Sequence, residues 1–172
     1  MAETLDAAIP AKVDALAARV LSAACERRLK LATAESCTGG LLASLLTDIP
    51  GCSHAFERGF VVYSNAAKRE MLGVPAALLD SPGPVSEAVA RAMAEGALSH
   101  SDAGLALAVT GYADSAPGSE GVSGRVHFAV ARKGGATRHQ VETFGPVGRG
   151  EVRVRSLDVA LRLLWRAIGG PA

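Results

Sequence analysis

Thr33-Ala-Glu-Ser-Cys-Thr-Gly-Gly40 is the stretch that decides how this chain reads. The apolar run Leu31 to Ala34 predicts a strand, and the stripe of Leu41, Leu42, Leu45 and Leu46 predicts a helix. The polar octet therefore stands where a strand hands over to a helix. Amides at a helix start lack internal partners and carry the positive end of the dipole, so they attract anions. Gly39 and Gly40 let a ligand approach the backbone, and Ser36, Cys37 and Thr38 supply three candidate nucleophiles. The combination predicts a site as well as a turn.

Working outward, helical and extended patterns alternate. Val13, Leu16, Ala17, Val20, Leu21 and Ala24 recur at helical spacing, predicting a helix from Pro10 to about Arg28. Gly59 to Ser64 reads as a strand, with Asn65 capping a short helix through Met71 that closes near Gly73. Ser86 caps a helix to about Ser99, with Val89, Met93 and Ala97 inward. Leu105 to Thr110 is an almost wholly apolar strand, as in a sheet covered on both faces. Gly111 to Gly124 is a loop, and Arg125–Arg132 and Thr137–Phe144 form a hairpin turning at Gly134-Gly135. The last helix, from about Arg149 to Ile168, buries Val152, Ser156, Val159, Ala160, Leu163 and Leu164. This order predicts an α/β fold, a three-layer α/β/α domain with a mixed sheet, as a single domain over residues 1–172.

Composition narrows the classes. Hydrophobic residues make up 49% of 172 and charged residues 20%, which suits a packed globular core. A net charge of +1 gives no bulk attraction to nucleic acid or an anionic membrane. Glu3 and Asp6 near the start, with no long apolar run, predict neither a signal peptide nor a membrane span. Cys25, Cys37 and Cys52 lack CxxC spacing, and their odd number predicts reduced thiols in the cytoplasm. No HxxxH and no clustered Asp/His spacing suggests a metal site, and GxxxxGK[ST] is absent.

Several motifs occur in a set order: Thr33–Gly40, Gly51-Cys-Ser53, Glu57-Arg-Gly-Phe-Val-Val-Tyr-Ser-Asn-Ala-Ala-Lys68, Met71-Leu-Gly-Val74, Gly83-Pro-Val-Ser86 and Ala108-Val-Thr-Gly111. With them the chain resembles the CinA C-terminal domain family, from about Val13 to Trp165, in its stand-alone form. The resemblance implies hydrolysis of the carboxamide of nicotinamide mononucleotide (NMN) to nicotinate mononucleotide and ammonia, with no metal and no cofactor. It also implies a homodimer.

The residues themselves bear on that chemistry. Amide hydrolysis needs a nucleophile, a base that returns its proton to the leaving amine, and donors for the oxyanion. Ser36 is the leading nucleophile. His54, His100, His127 and His139 are scattered, so Lys68 is the alternative base, given desolvation or a neighbouring cation to lower its pKa. Tyr63 is placed to relay a proton or orient the serine. Together Ser36, Lys68 and Tyr63 read as a Ser–Lys type centre.

Around that centre the readings stay open. The amides of Cys37, Thr38, Gly39 and Gly40 suit either the oxyanion or a substrate phosphate, and those of Thr110 and Gly111 are further oxyanion candidates. Cys37 is a rival nucleophile or a small packing residue. Glu35 either orients Lys68 or a hydroxyl, or is an acid favoured by the helix dipole. Arg149 and Arg153, four apart at a helix start where cations are disfavoured, suit either a substrate phosphate or a surface pair balanced by Glu151 or a partner subunit.

Three departures from the family pattern stand beside the intact nucleophile motif. Tyr112-Ala-Asp-Ser-Ala-Pro-Gly-Ser119 replaces an Ile-Ala-Gly-Pro run, Val122-Ser-Gly-Arg125 replaces Pro-Val-Gly-Thr, and Phe144-Gly-Pro146 stands in place of Gly-Asp. The expectation is a deamidase with a divergent 112–125 loop. The alternatives are an amidohydrolase with another substrate, or a nucleotide-binding relative without catalysis.

Overall fold

In the computed structural model, which describes residues 9–48, 50–114 and 122–170, the chain runs α1 (Ala11–Glu26), β1 (Leu31–Glu35), α2 (Leu41–Thr47), β2 (Phe56–Val61), α3 (Asn65–Leu72), α4 (Ala76–Asp80), α5 (Glu87–Ser99), β3 (Leu105–Gly111), β4 (Arg125–Arg132), β5 (Arg138–Thr143) and α6 (Arg149–Ile168). The strands form one sheet in the order β2-β1-β3-β4-β5. β1 runs parallel to β2 and β3, and β4 runs antiparallel to β3 and β5. This is the mixed α/β/α arrangement that the alternating pattern predicts.

The period-two alternation of β3 explains the layering. Leu105, Leu107 and Val109 face the cluster built by α1, α2 and α6, while Ala106 and Ala108 face α5. Small side chains on the second face let α5 approach closely. Gly96 extends that economy to the contact between α5 and α3, because a Cβ there would lie 2.1 Å from the Leu72 carbonyl oxygen.

The topology positions the site. From β1 the chain passes outward to β2, whereas β3 lies on the other side of β1, so the connections diverge between β1 and β3. Divergence of this kind opens a crevice at the carboxyl ends of parallel strands. Those ends are Glu35, leading directly into Ser36, and Thr110-Gly111.

Several boundaries differ from the sequence reading. β2 begins at Phe56, three residues before Gly59, and its register shifts where Leu31 faces Phe56 and Ala32 faces Arg58. At this edge of the sheet the strand accommodates the Glu57-Arg58 pair, joined at 2.7 Å with Arg58 exposed and Glu57 largely covered. Ser64 rather than Asn65 caps α3, its Oγ accepting from the Ala67 amide at 3.0 Å. The five-residue α4 after Pro75 is too short to show periodicity. On α6 the buried stripe includes Leu157, Leu161 and Ile168, while Val159 and Leu163 are only partly buried. Of the divergent 112–125 loop, residues 115–121 lie outside the described residues, as do Glu3 and Asp6. No helix among the described residues is long and apolar enough to cross a membrane.

Candidate active site

The turn after β1 is built around Glu35. This carboxylate is completely buried and accepts three backbone amides: Gly40 and Leu42 on Oε2, both at 3.1 Å, and Ala43 on Oε1 at 2.8 Å. An internal anion thus occupies the N-terminus of α2, the position that the dipole favours for negative charge. The Gly39 amide donates to the Ser36 carbonyl at 3.2 Å. The expectation that Gly39 and Gly40 offer amides to a ligand is therefore corrected, because both amides are consumed inside the turn. Their role is conformational: φ is 63° at Gly39 and 97° at Gly40, the left-handed region open to glycine. The amides of Cys37 and Thr38 have no acceptor among the described residues.

Ser36 is anchored by its own amide, which donates to the Val109 carbonyl at 3.0 Å, and it is 7% exposed. Facing it is Lys68, on the buried side of α3 one turn before Leu72. Lys68 is 2% exposed, and its Nζ lies 3.1 Å from Ser36 Oγ, 3.0 Å from the Val62 carbonyl and 3.4 Å from the Tyr63 carbonyl. Burial pushes the Lys68 pKa below the usual lysine value. A neutral amine has two hydrogens and one lone pair. The two carbonyls can take the hydrogens, which leaves the lone pair for the serine hydroxyl.

Ser36 and Lys68 open into a cavity of about 400 Å³, whose wall includes Tyr63, Asn65, Thr110, Gly111, Tyr112, Asp114 and Arg149. Tyr63 meets Lys68 through its carbonyl, while its side chain is 65% exposed at the rim. Thr110 spends its hydroxyl on the Pro84 carbonyl at 2.8 Å, fixing the opposite wall. At Gly111 a Cβ would lie 2.7 Å from Val126 Cγ2 and 2.9 Å from the Arg125 carbonyl oxygen, so only glycine lets β3 and β4 close there. Asn65, a wall residue that the sequence reading took as a helix cap, carried no other signal.

Cys37 packs into the core at 4% exposure, and burial pushes its thiol up to about 11. It is a packing residue and a poor thiolate. Thr38 is 1% exposed, and its hydroxyl is unpaired among the described residues. The two arginines separate in role. Arg153 donates from Nε to the Cys37 carbonyl at 2.8 Å and braces the serine turn, while Arg149 lines the cavity with Nη2 3.8 Å from Asp114 Oδ2. Among the described residues no group of three or more His, Cys, Asp or Glu side chains is arranged to hold a metal ion.

Set against known families, residues 13–168 match the CinA C-terminal domain. The chain belongs to this family. The CinA-like protein of Chlorobium phaeobacteroides is 46% identical over 142 residues, covering 80% of this chain and 34% of that protein. The CinA-like protein of Mycobacterium tuberculosis is 44% identical over 161 residues, covering 93% of this chain and 36% of that protein. This CinA domain thus spans about a third of the length of the curated relatives it matches. Among solved structures, the competence/damage inducible protein CihA from Agrobacterium tumefaciens superposes with a TM-score of 0.86 at 42% identity, covering 93% of this chain and 97% of that one. A CinA superfamily protein from Escherichia coli gives 0.84 at 33% identity, covering 90% of each chain.

Proposed function

We propose that this CinA domain hydrolyses the carboxamide of nicotinamide mononucleotide, releasing ammonia and nicotinate mononucleotide through a Ser36-bound acyl intermediate. The observation that carries the amide chemistry is the 3.1 Å approach of Lys68 Nζ to Ser36 Oγ at a buried position. The choice of substrate rests on the family resemblance, and the cavity supports it. About 400 Å³ with one arginine at its wall suits a small organic anion.

In the proposed sequence, Lys68 accepts the Ser36 proton as Oγ attacks the carboxamide carbon. Negative charge develops on the carbonyl oxygen, next to the Cys37 amide at the start of the turn. Lys68 then delivers the proton to the departing nitrogen, which leaves as ammonia. Water attacks the acyl-serine with Lys68 again as base, regenerating the hydroxyl and freeing the carboxylate. Tyr63 helps by holding Lys68 with its carbonyl, and its exposed ring stands at the rim for contact with substrate. Arg149 binds the phosphate, drawn from its long 3.8 Å pairing with Asp114. Arg153 acts indirectly, by bracing the turn.

Ammonia release from purified protein tests the reading, with nicotinamide mononucleotide compared against free nicotinamide. Turnover of the mononucleotide, with little or none of the free amide, is expected. Saturable binding of the mononucleotide without ammonia would contradict catalysis and favour a binding-only relative, in which Tyr112 and Asp114 have reshaped the wall.

A further inference from the structure

Away from the Ser36 cavity, three side chains on the α5 face of the sheet are linked in series. Val126, Phe128 and Val130 of β4 face α6, so His127 faces α5. His127 Nδ1 lies 3.0 Å from His139 Nε2, with the two rings stacked at a centroid separation of 5.2 Å. His139 Nδ1 in turn lies 3.5 Å from Glu87 Oε2.

One assignment of the hydrogens suits this order, with Glu87 as the terminal acceptor. A carboxylate only accepts, so His139 carries its hydrogen on Nδ1 and accepts on Nε2. His127 must then donate from Nδ1, which leaves the lone pair of its Nε2 free. His127 lines a shallow depression of about 640 Å³ together with Val85, Ser86, Glu87, Arg91 and Arg125. Glu87 is neutralised by Arg91, whose Nη2 lies 2.7 Å from its Oε1 and whose Nη1 donates to the Thr137 carbonyl. Arg125 has no carboxylate partner among the described residues, so the depression carries one uncompensated positive charge. Val85 lines both this depression and the Ser36 cavity, which places the two on opposite sides of one loop.

We propose that this depression is a second phosphate-binding site, in which Arg125 and the free Nε2 of His127 hold the phosphate oxygens. The chemistry of the histidine chain selects phosphate over carboxylate. Burial holds both imidazoles below their usual pKa, so near neutrality His127 offers a lone pair, with no hydrogen on Nε2. A carboxylate has no hydrogen to give that lone pair. A phosphate ionises a second time near pH 6, so it can bring the hydrogen itself or accept one from a charged ring. Either way a single proton is shared between the phosphate and Nε2, and the chain to Glu87 stabilises the charged ring when it forms. The site stands independently of any hydrolysis at Ser36.

Inorganic phosphate titrated at pH 7 against the histidine ring resonances tests it, with acetate as control, in wild type, Arg125→Gln and Arg149→Gln. The expected result is a saturable shift of His127 and His139 with phosphate and little with acetate. Binding should be roughly tenfold or more weaker in Arg125→Gln, the worth of one charge-assisted bond, and unchanged in Arg149→Gln. Three results would overturn the proposal: no phosphate shift, equal shifts with acetate, or loss of the shift in Arg149→Gln. Should Arg125→Gln fail to fold, the wild-type comparison of phosphate with acetate decides alone.

Discussion

Replacing Glu35 by glutamine probes the turn that carries Ser36. The carboxylate takes two amides on one oxygen and one on the other, all from the start of α2, with no exposure to water. Glutamine keeps one acceptor oxygen, so at best the Gly40 and Leu42 amides remain bonded, now to a neutral group. The drop from charge-assisted to neutral bonds costs about 1 kcal/mol each. The side-chain NH2 then faces the Ala43 amide, donor against donor, and an unsatisfied buried group costs a further ~1–3 kcal/mol. The loss should total about 3–5 kcal/mol, against a typical domain stability of ~5–15 kcal/mol. Urea denaturation followed by circular dichroism measures it. At a slope of ~2 kcal/mol per molar, the midpoint should fall by about 2 M with the slope unchanged. A fall equivalent to less than ~1 kcal/mol would refute the claim that this carboxylate organises the serine turn.

Other outcomes follow from the same geometry. Lys68→Met should reduce amide hydrolysis by ~10²–10⁴-fold while the fold persists, as loss of a general base predicts. In wild type kcat/KM should rise with pH through a midpoint below the 10.5 of an ordinary lysine, and a midpoint at or above it would count against Lys68 as base. Because the folded pKa lies below the unfolded one, the unfolded chain binds more protons between the two values. Stability should therefore rise with pH across that window, and Lys68→Met should remove the increment, which pH-resolved denaturation reads directly. Cys37, with its thiol held up at about 11, should resist iodoacetamide at pH 8 in the native protein, and rapid labelling by peptide mass mapping would contradict its placement in the core. Gly96→Ala should cost ~1–3 kcal/mol or more in denaturation, because the added methyl meets the Leu72 carbonyl oxygen of the backbone, which cannot swing aside.

Patterns carried by near neighbours in sequence were legible before the structure. The apolar run of β3, the Ser86 cap and the proline start of α1 each rest on a few adjacent residues. The β2 boundary was not legible, since the strand was read from Gly59 and the charged Glu57-Arg58 pair belongs to it only through pairing at the sheet edge. Ser36 and Lys68 could be named as candidates, but their approach across 32 positions of sequence depends on α3 packing beside the β1 end. Glu35 was left between orienting Lys68 or a hydroxyl and serving as an acid at the helix dipole, and the three α2 amides it accepts match the second reading. Arg153 was read with Arg149 as a phosphate pair, yet it reaches the Cys37 carbonyl 116 residues earlier, a contact made only when α6 packs against α2. His127 and His139 looked scattered because the hairpin register that makes them diagonal neighbours, with Ala129 facing His139, is set by pairing.

The most direct test of the central claim compares ammonia release from nicotinamide mononucleotide by wild type, Ser36→Ala and Cys37→Ala, each first shown to be folded by circular dichroism. The account predicts that Ser36→Ala loses at least ~10³-fold in kcat, as removal of a nucleophile does, while Cys37→Ala stays within about tenfold of wild type. Activity retained in Ser36→Ala, or abolished in a folded Cys37→Ala, would contradict it.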